Sequence, residues 1–481
     1  MAERLLLTAD RLVGGGVDRT VRSHHRRRLR GVGWEHALDA PPGGWAGGEP
    51  PPRAGNDLSI LIDGAAALRA MVEEMRRAQS HVHLTGWHVS PDFAMTREGE
   101  PVVVRNLLGD IADRADVRVL LWAGAPLPLF RPSRRAVRGV QAALTHRSNV
   151  RCALDARERP MHCHHEKTIV IDDRVAFVGG IDLTHLAGDR LDSQAHPARA
   201  QVGWHDAAAR IAGPAVADVA ESFRVRWREV TGEALPAPAT AGPAGQVEVQ
   251  VVRTVPNGIY ASLPRGDFRI VESYLRALRS ARRLVYLENQ FLWSPEIVAV
   301  LADKLRNPPA ADFRMLLLLP AKPNSGEDDS RGQVGALLDA DGGAGRFLAC
   351  TIAARDRERS DPVYVHAKIG IVDDEWLTIG SANLNEHSLF NDTEMNVVTH
   401  DAALVRATRL RLWAEHLELA EGDVGGPPSE LIDRRWRPVA REQRERQAAG
   451  RPLTHRLVEL QGVSRHTGRM LGPIDGLLVD G

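Results

Sequence analysis

Two stretches of the chain, HHEKTIVIDDRVAFVGGIDL (164–183) and VHAKIGIVDDEWLTIGSANL (365–384), lie over one another at a constant offset of 201 residues with no gap. They share His165/His366, Lys167/Lys368, Asp172/Asp373, Asp173/Asp374, Gly179/Gly380 and Leu183/Leu384, and elsewhere apolar lies over apolar. The chain has only four lysines, Lys167, Lys304, Lys322 and Lys368, among 62 basic residues, and two of the four fill the same slot of this repeat. Chance placement is a poor account of that. An internal repeat at this separation calls for two similar units built around the same local structure.

The flanking sequence has one grammar on both sides. HVHLTGWHV (81–89) and VRVLLW (117–122) read as buried strands, and AALRAMVEEMRRAQ (66–79) carries apolar residues at helical spacing. Later, FRIVESYLRALRSA (268–281) reads as a helix leading into the strand RLVYLENQF (283–291), with a further strand FRMLLLLP (313–320). Such alternation predicts an α/β sandwich in each half. Between the halves, GEALPAPATAGPAGQ (232–246) has no apolar period and reads as a semi-stiff linker. At 481 residues the chain is too long for one core. The division expected is a basic N-terminal arm (1–54), a first domain (55–231), the linker (232–246), a second domain (247–425) and a charged C-terminal tail (426–481).

Charge is balanced, 62 basic against 62 acidic residues, so no long-range field draws the chain to nucleic acid or to an anionic membrane. Any such contact must be local. The one dense basic run, HHRRRLR (24–30), is either a solvated arm or a phosphate or lipid-headgroup contact. Cys152, Cys163 and Cys350 do not make a disulfide framework, which points to a reducing compartment. The opening MAERLLLTADRLVGGG holds a short apolar stretch between Glu3 and Asp10, unlike a signal peptide. No run of 18 apolar residues occurs, so no transmembrane segment is expected. The expectation is a soluble, monomeric, cytoplasmic protein, peripheral to a membrane at most.

The run His162, Cys163, His164, His165 would be a zinc site only if all four side chains closed around one ion. The second copy keeps only His165, as His366. In an extended strand His162 and His164 face one way and Cys163 and His165 the other. Lys167 beside His165 would also repel a divalent cation. No metal is expected there. What repeats is His-x-Lys.

Residues i and i+2 of a strand share a face, about 7 Å apart along the chain. Each pair therefore presents an imidazole and an ammonium to one small volume. Two such pairs suit an anion whose reaction needs a nucleophile and a proton donor, and a phosphodiester fits. The lysines neutralise nonbridging oxygens, one histidine attacks phosphorus and the other protonates the departing oxygen. Asp172 and Asp373 follow their histidines by seven residues, on the opposite strand face and in the turns DDR and DDE, which suits turn or strand-end hydrogen bonding. Gly179-Gly180 and Gly380-Ser381 are small enough for backbone N–H groups and a hydroxyl to approach a phosphate, with Asp182 and Asn383 close behind.

The duplicated pattern H-x-K-x4-D-x6-G-[GS], His165 to Gly180 and His366 to Ser381, resembles the phospholipase D superfamily. GWHDAAARIAGPAVADVAESFRVRW (203–227), GDRLDSQAHP (188–197), YLENQFLW (286–293), NEHSLFNDTEMNVV (385–398) and LRLWAEHL (410–417) resemble further segments of the phosphatidylcholine-type phospholipases D. Leu191 stands where that family has an aromatic, and His387 where it has arginine.

The resemblance covers roughly residues 55–425 and implies two similar α/β/α sandwich domains with pseudo-twofold symmetry, one active site at their interface and a phosphohistidine intermediate. It implies His165 as nucleophile and His366 as general acid, with Asp172 and Asp373 counted in the catalytic motif. Lys167, Lys368 and Asn383 would hold the phosphate with Gly180 and Ser381, while Asp206 and Glu394 orient the histidines. No cofactor is implied. Glu288, Asn289 and Gln290 read as core, supporting or headgroup-contacting residues alike.

The activity implied is hydrolysis of the distal phosphodiester of a glycerophospholipid at a membrane surface. Phosphatidate and free alcohol are released, with transphosphatidylation when another alcohol captures the intermediate. Within the same chemistry stand a cardiolipin-synthase-type phosphatidyltransferase, which usually carries N-terminal membrane helices, and a nuclease, which would favour a basic cleft. A non-catalytic phosphate-binding relative would have no need of both His-x-Lys pairs.

Overall fold

The computed structural model describes residues 2–126, 131–159, 162–186, 188–191, 202–322, 327–355 and 360–462. The first half contributes β1 (Arg53–Ile62), β2 (His81–Gly86), β3 (Asp116–Trp122), β4 (Arg151–Asp155), β5 (Thr168–Ile171), β6 (Val175–Gly179), β7 (Gly203–His205) and β8 (Ala207–Ala212). The second contributes β9 (Val247–Val255), β10 (Asp267–Phe268), β11 (Leu284–Glu288), β12 (Arg314–Leu318), β13 (Phe347–Arg355), β14 (Ser360–Val365), β15 (Ile369–Val372), β16 (Trp376–Gly380), β17 (Glu394–Thr399) and β18 (Leu457–Glu459).

In the first half the strands lie in the order β1-β8-β6-β5-β2-β3-β4. In the second the order is β9-β17-β16-β15-β11-β12-β13, with β18 beyond β13. The two orders correspond strand for strand. Within these two orders β2, β3 and β4, and their equivalents β11, β12 and β13, run parallel, and β14 pairs in parallel with β7 across the halves. A short antiparallel pairing of β1 with β9 joins the sheets.

Three helices cover one face of each sheet: Asp63–Arg76, Val104–Ala112 and Arg134–Thr145 in the first half, Arg269–Ser280, Pro295–Arg306 and Glu327–Asp341 in the second. The opposite faces carry Val216–Thr231 and Ala402–Leu417, and their Val216, Val219, Leu412 and Trp413 merge with Val170, Val178, Ile371 and Ile379 into one core common to both halves. With both faces covered, every residue of β5, β6, β11, β15 and β16 is buried. That is why TIVI and IGIV read as unbroken apolar runs rather than as alternating ones. The linker runs without helix or strand over residues 232–244, pinned where the Ala239 N–H donates to Asp173 and the Ala244 N–H to the Gly55 carbonyl.

The described parts of the N-terminal arm and the C-terminal segment are more integrated than expected. The arm is a helix, Ala2–Val32. Its basic run packs on the second half: Leu29 is buried, His25 stacks on Phe390 at 4.1 Å and meets Glu296 at 2.8 Å. Arg28 donates to the Phe390 carbonyl at 2.8 Å and to Asn391 at 2.6 Å. The solvated-arm reading fails for these residues, while Arg22, His24 and Arg27 stay exposed. At the other end, β18 adds an edge strand to the second sheet. Trp436 is fully buried against Tyr286, Trp413 and His416. The charged segment is part of the second half as far as residue 462, because its apolar side chains complete that core. Residues 463–481 of the expected tail lie outside the described residues, as do 192–197 of GDRLDSQAHP. Trp436→Ala should cost about 3–5 kcal/mol in denaturant unfolding; a loss below about 1 kcal/mol would return the segment to a dispensable tail.

Candidate active site

The His-x-Lys pairs lie on extended segments just before β5 and β15, which begin at Thr168 and Ile369, and not within the strands. Each segment is tied to the other half of the chain. The His165 N–H donates to the Thr393 carbonyl at 2.9 Å, and the His366 N–H to the His205 carbonyl at 2.8 Å. The residues that follow those two carbonyls are Glu394 and Asp206. Glu394 Oε1 lies 2.9 Å from His165 Nδ1, and Asp206 Oδ2 lies 2.6 Å from His366 Nδ1. The carboxylates are thus exchanged: each half orients the other half's histidine. All four side chains are buried.

Behind the carboxylates stand Gly180 and Ser381. A Cβ at Gly180 would come 2.2 Å from Asp206 Oδ1, so glycine makes room for the carboxylate. Ser381 donates its hydroxyl to Glu394, and Ser388 does the same at 2.5 Å. Their backbone N–H groups are already used, Gly180 on the Ala207 carbonyl at 3.1 Å and Ser381 on that of Met395 at 3.0 Å. The expected phosphate contact from Gly180 and Ser381 is therefore corrected. These two residues hold the carboxylates that hold the histidines.

Each lysine folds back on the carbonyl of its own histidine, Lys167 on that of His165 at 2.7 Å and Lys368 on that of His366. Beyond that the two copies differ. Lys167 Nζ lies 3.2 Å from Asp182, whereas Lys368 donates to Gln290 Oε1 at 3.1 Å. Asn383, which occupies the slot of Asp182, donates to the same Gln290 oxygen at 3.3 Å. Gln290 in turn donates to Tyr364 at 2.8 Å. Asn383 Oδ1 is buried without a hydrogen-bond partner, an acceptor left over at the site.

A family model described as Phospholipase D matches residues 348–455. Phospholipase D A of Dictyostelium discoideum is 24% identical over 478 residues, which cover 80% of this chain and 37% of that protein. Phospholipase D alpha 4 of Arabidopsis thaliana is 24% identical over 474 residues, 70% of this chain and 62% of that one. The chain is similar to phospholipases D over most of its length. It spans less than two thirds of either relative's length. A solved phosphatidylserine synthase from Haemophilus influenzae Rd KW20 shares the fold, with a TM-score of 0.51 at 12% identity over 74% of this chain and 85% of that one.

Asp172 and Asp373 do not join the histidines. Seven residues at about 3.3 Å each carry them roughly 20 Å away along the strand. Asp172 accepts from the backbone N–H of Gln79, Ser80 and His81 at 2.9, 2.8 and 3.0 Å. Asp373 accepts from those of Arg282, Arg283 and Leu284 at 2.7, 2.8 and 2.7 Å. Each closes its turn with left-handed backbone, φ 54° and 55°, and gathers the N–H groups at the start of a parallel strand. Their listing with the catalytic motif is corrected to a structural one. Nor do the four side chains of 162–165 converge on a point. His162 meets His387, Cys163 lies among Trp87, Trp122 and Ala125, His164 faces Asp155 and Thr393, and His165 takes Glu394.

Burial sets the electrostatics. It pushes Glu394 up to about 8, against the pull of Lys167 and the two serine hydroxyls, and Asp206 up to about 6, against Lys368. His366 is held well below its ordinary value, first by burial and then by Lys368, Arg190, Lys167 and His165. Both motifs therefore act on one imidazole. Arg190 is a third cation of the site that spacing did not single out, buried 3.7 Å above the Trp204 ring, which lies 4.3 Å from His366.

His205 was also missed. Its Nδ1 and Nε2 lie 2.9 Å from Asp63 and 2.8 Å from Glu288, so both nitrogens carry protons and the ring is an imidazolium bolting the two halves together beside Asp206. Burial opposes that charge, but Glu288 and Asp63 outweigh it and raise the ring well above its ordinary value.

Two predictions follow from these placements. Asp172→Ala frees three backbone donors and should lower stability by about 2–3 kcal/mol while turnover per folded molecule holds; lost turnover in a fully folded variant would restore its catalytic role. A histidine with a raised folded pKa stabilises fully below its unfolded value near 6.5 and loses that contribution as pH climbs through the folded value. The stability gap between wild type and His205→Gln should be steady below about pH 6.5 and narrow above it; a pH-independent gap would show that the ring is neutral.

Proposed function

We propose that the chain is a phospholipase D-type phosphodiesterase. It hydrolyses the distal phosphodiester of a glycerophospholipid to phosphatidate and free alcohol, and passes the phosphatidyl group to an alcohol when one takes the place of water. The observation that carries this reading is the engagement of both Nδ1 atoms by exchanged carboxylates, which makes Nε2 the reacting nitrogen of each ring.

His165 Nε2 attacks phosphorus, and the bond to the headgroup oxygen breaks as His366 Nε2 gives that oxygen a proton. His366 then takes a proton from water, whose oxygen attacks phosphorus while the P–N bond breaks and His165 is released. Lys167, Lys368 and Asn383 hold the nonbridging oxygens. Burial first, and then the crowded cations, hold His366 well below its ordinary value. A phosphodiester brings negative charge among them and raises its pKa, so the substrate itself readies the proton donor. Lys368 donates to the Gln290 amide where Lys167 faces Asp182, so the two cations meet the phosphate in different surroundings.

The two halves, joined by residues 232–246, act in this reading as domains that each supply one His-x-Lys and one orienting carboxylate, so a monomer suffices. No helix among the described residues is long and apolar enough to cross a membrane. Contact with lipid is proposed at the surface, where exposed Arg22, His24 and Arg27 can meet anionic headgroups.

Purified protein should release choline from phosphatidylcholine and form the phosphatidyl alcohol when a primary alcohol is added. Inactivity on phospholipid vesicles, with cleavage of single-stranded nucleic acid instead, would overturn the substrate class. The roles separate by leaving group. His165→Ala should fall to background on every substrate. His366→Ala should lose about 10²–10⁴-fold on an alkoxide leaving group and much less on a nitrophenolate, which departs without a proton. Equal losses for both variants on nitrophenolate would refute the division.

A further inference from the structure

Three histidine–carboxylate groups among the described residues bring three potential ligand atoms together: His205 with Glu288 and His416, His205 with Asp63 and Glu415, and His162 with His387 and Asp392. The first two are closed by protons. Both nitrogens of His205 already face carboxylate oxygens, and Glu288 Oε1 takes the Tyr286 hydroxyl and His416. The third group is different. His162 Nδ1 and His387 Nδ1 point at each other across 3.0 Å. Asp392 Oδ1 lies 3.5 Å from His162 Nδ1, and Oδ2 lies 4.0 Å from His387 Nδ1. Asp392 is wholly buried, and while its Oδ1 accepts the Cys163 N–H at 2.9 Å, its Oδ2 has no hydrogen-bond partner.

A single N–H···N bond between the rings accounts for the 3.0 Å contact but leaves that carboxylate oxygen unsatisfied. Burying such an oxygen costs about 1–3 kcal/mol, more for an ionised group. Two ligands at about 2.0–2.1 Å from one tetrahedral ion lie about 3.3 Å apart, which the two nitrogens at 3.0 Å and the His162–Oδ1 pair at 3.5 Å approach, while His387 and Oδ2 at 4.0 Å would close by a small turn of the carboxylate. We propose that His162, His387 and Asp392 bind one divalent cation of the zinc class. Two imidazole nitrogens and one carboxylate exclude calcium and magnesium, which take oxygen ligands. His162 is partly exposed, its side chain at 19%, which leaves a fourth position open to water.

This ion is distinct from the reaction and has a place in the architecture. His162 stands on the segment that leads to His165. His387 opens the one-turn π-helix His387–Asn391 and Asp392 follows it, directly before Thr393 and Glu394, which hold His165. The ion would clamp the first half to the second beside the proposed nucleophile.

The test uses the untagged full-length chain, stripped of metal and then titrated with Zn²⁺ by calorimetry and with Co²⁺ by its visible ligand-field absorption. One equivalent should bind, Co²⁺ should show a four-coordinate spectrum, and thermal unfolding should shift upward with Zn²⁺. His162→Ala and His387→Arg should each weaken binding by about 100-fold or more and abolish the shift. Arginine keeps a cation beside Asp392 but cannot ligate, so His387→Arg can stay folded without the ion. Wild type that binds no Zn²⁺ at micromolar concentration overturns the proposal whatever the variants do. So does one-equivalent binding that survives in both variants, which would place the ion elsewhere.

Discussion

The exchange of carboxylates across the two halves is the interaction on which the rest depends. His165 is oriented by Glu394 of the second half and His366 by Asp206 of the first. Neither half holds its own histidine, so neither can assemble half an active site alone. The backbone follows the same logic, since each histidine N–H donates to the carbonyl just before the carboxylate that orients it. The shared core beneath the inner helices and the buried His205 imidazolium, between Asp63 and Glu288, keep the halves in register for that exchange. Parting buried charged partners costs several kcal/mol, so the halves and the site stand or fall together.

The strand order repeats between the halves while the chemistry does not. Asp182 lies beside Lys167, while Asn383 in the same slot shares the Gln290 oxygen with Lys368. Gly180 against Ser381 gives one carboxylate space and the other a hydroxyl donor. Arg190 and Trp204 stand beside His366. A duplicated scaffold supplies two identical groups, and the residues around them differ, with burial first and then Lys368, Arg190, Lys167 and His165 holding His366 well below its ordinary value.

Much of this was legible in the sequence because the repeat carries both halves of the argument. The offset that aligned His165 with His366 also aligned β5 with β15 and β6 with β16, and the strand orders agree. The strand parity of Asp172 and Asp373 already placed them away from the histidines, and their backbone hydrogen bonds explain why the motif keeps them. Other features were hidden. Gly180 and Ser381 read as phosphate contacts because small residues near a motif have two uses, and only the neighbouring carboxylates decide between them. The crossed pairing cannot be read from spacing, since Glu394 lies closer in sequence to His366 than to His165. Trp436 sat inside a charge-rich run whose few apolar residues, spaced around helical turns, looked like a tail until a core to bury them was in view.

The central claim is one shared site in which an Nε2 atom, oriented through Nδ1 by the opposite half, becomes bonded to phosphorus. The most direct measurement is mass spectrometry of peptides from enzyme quenched during turnover of a good-leaving-group phosphodiester, in the His366→Ala background where deprotonation of water is impaired. The account predicts phosphorylated His165, and loss of that adduct when Glu394→Gln is added. An adduct on another residue, or none under conditions where product forms, would contradict it.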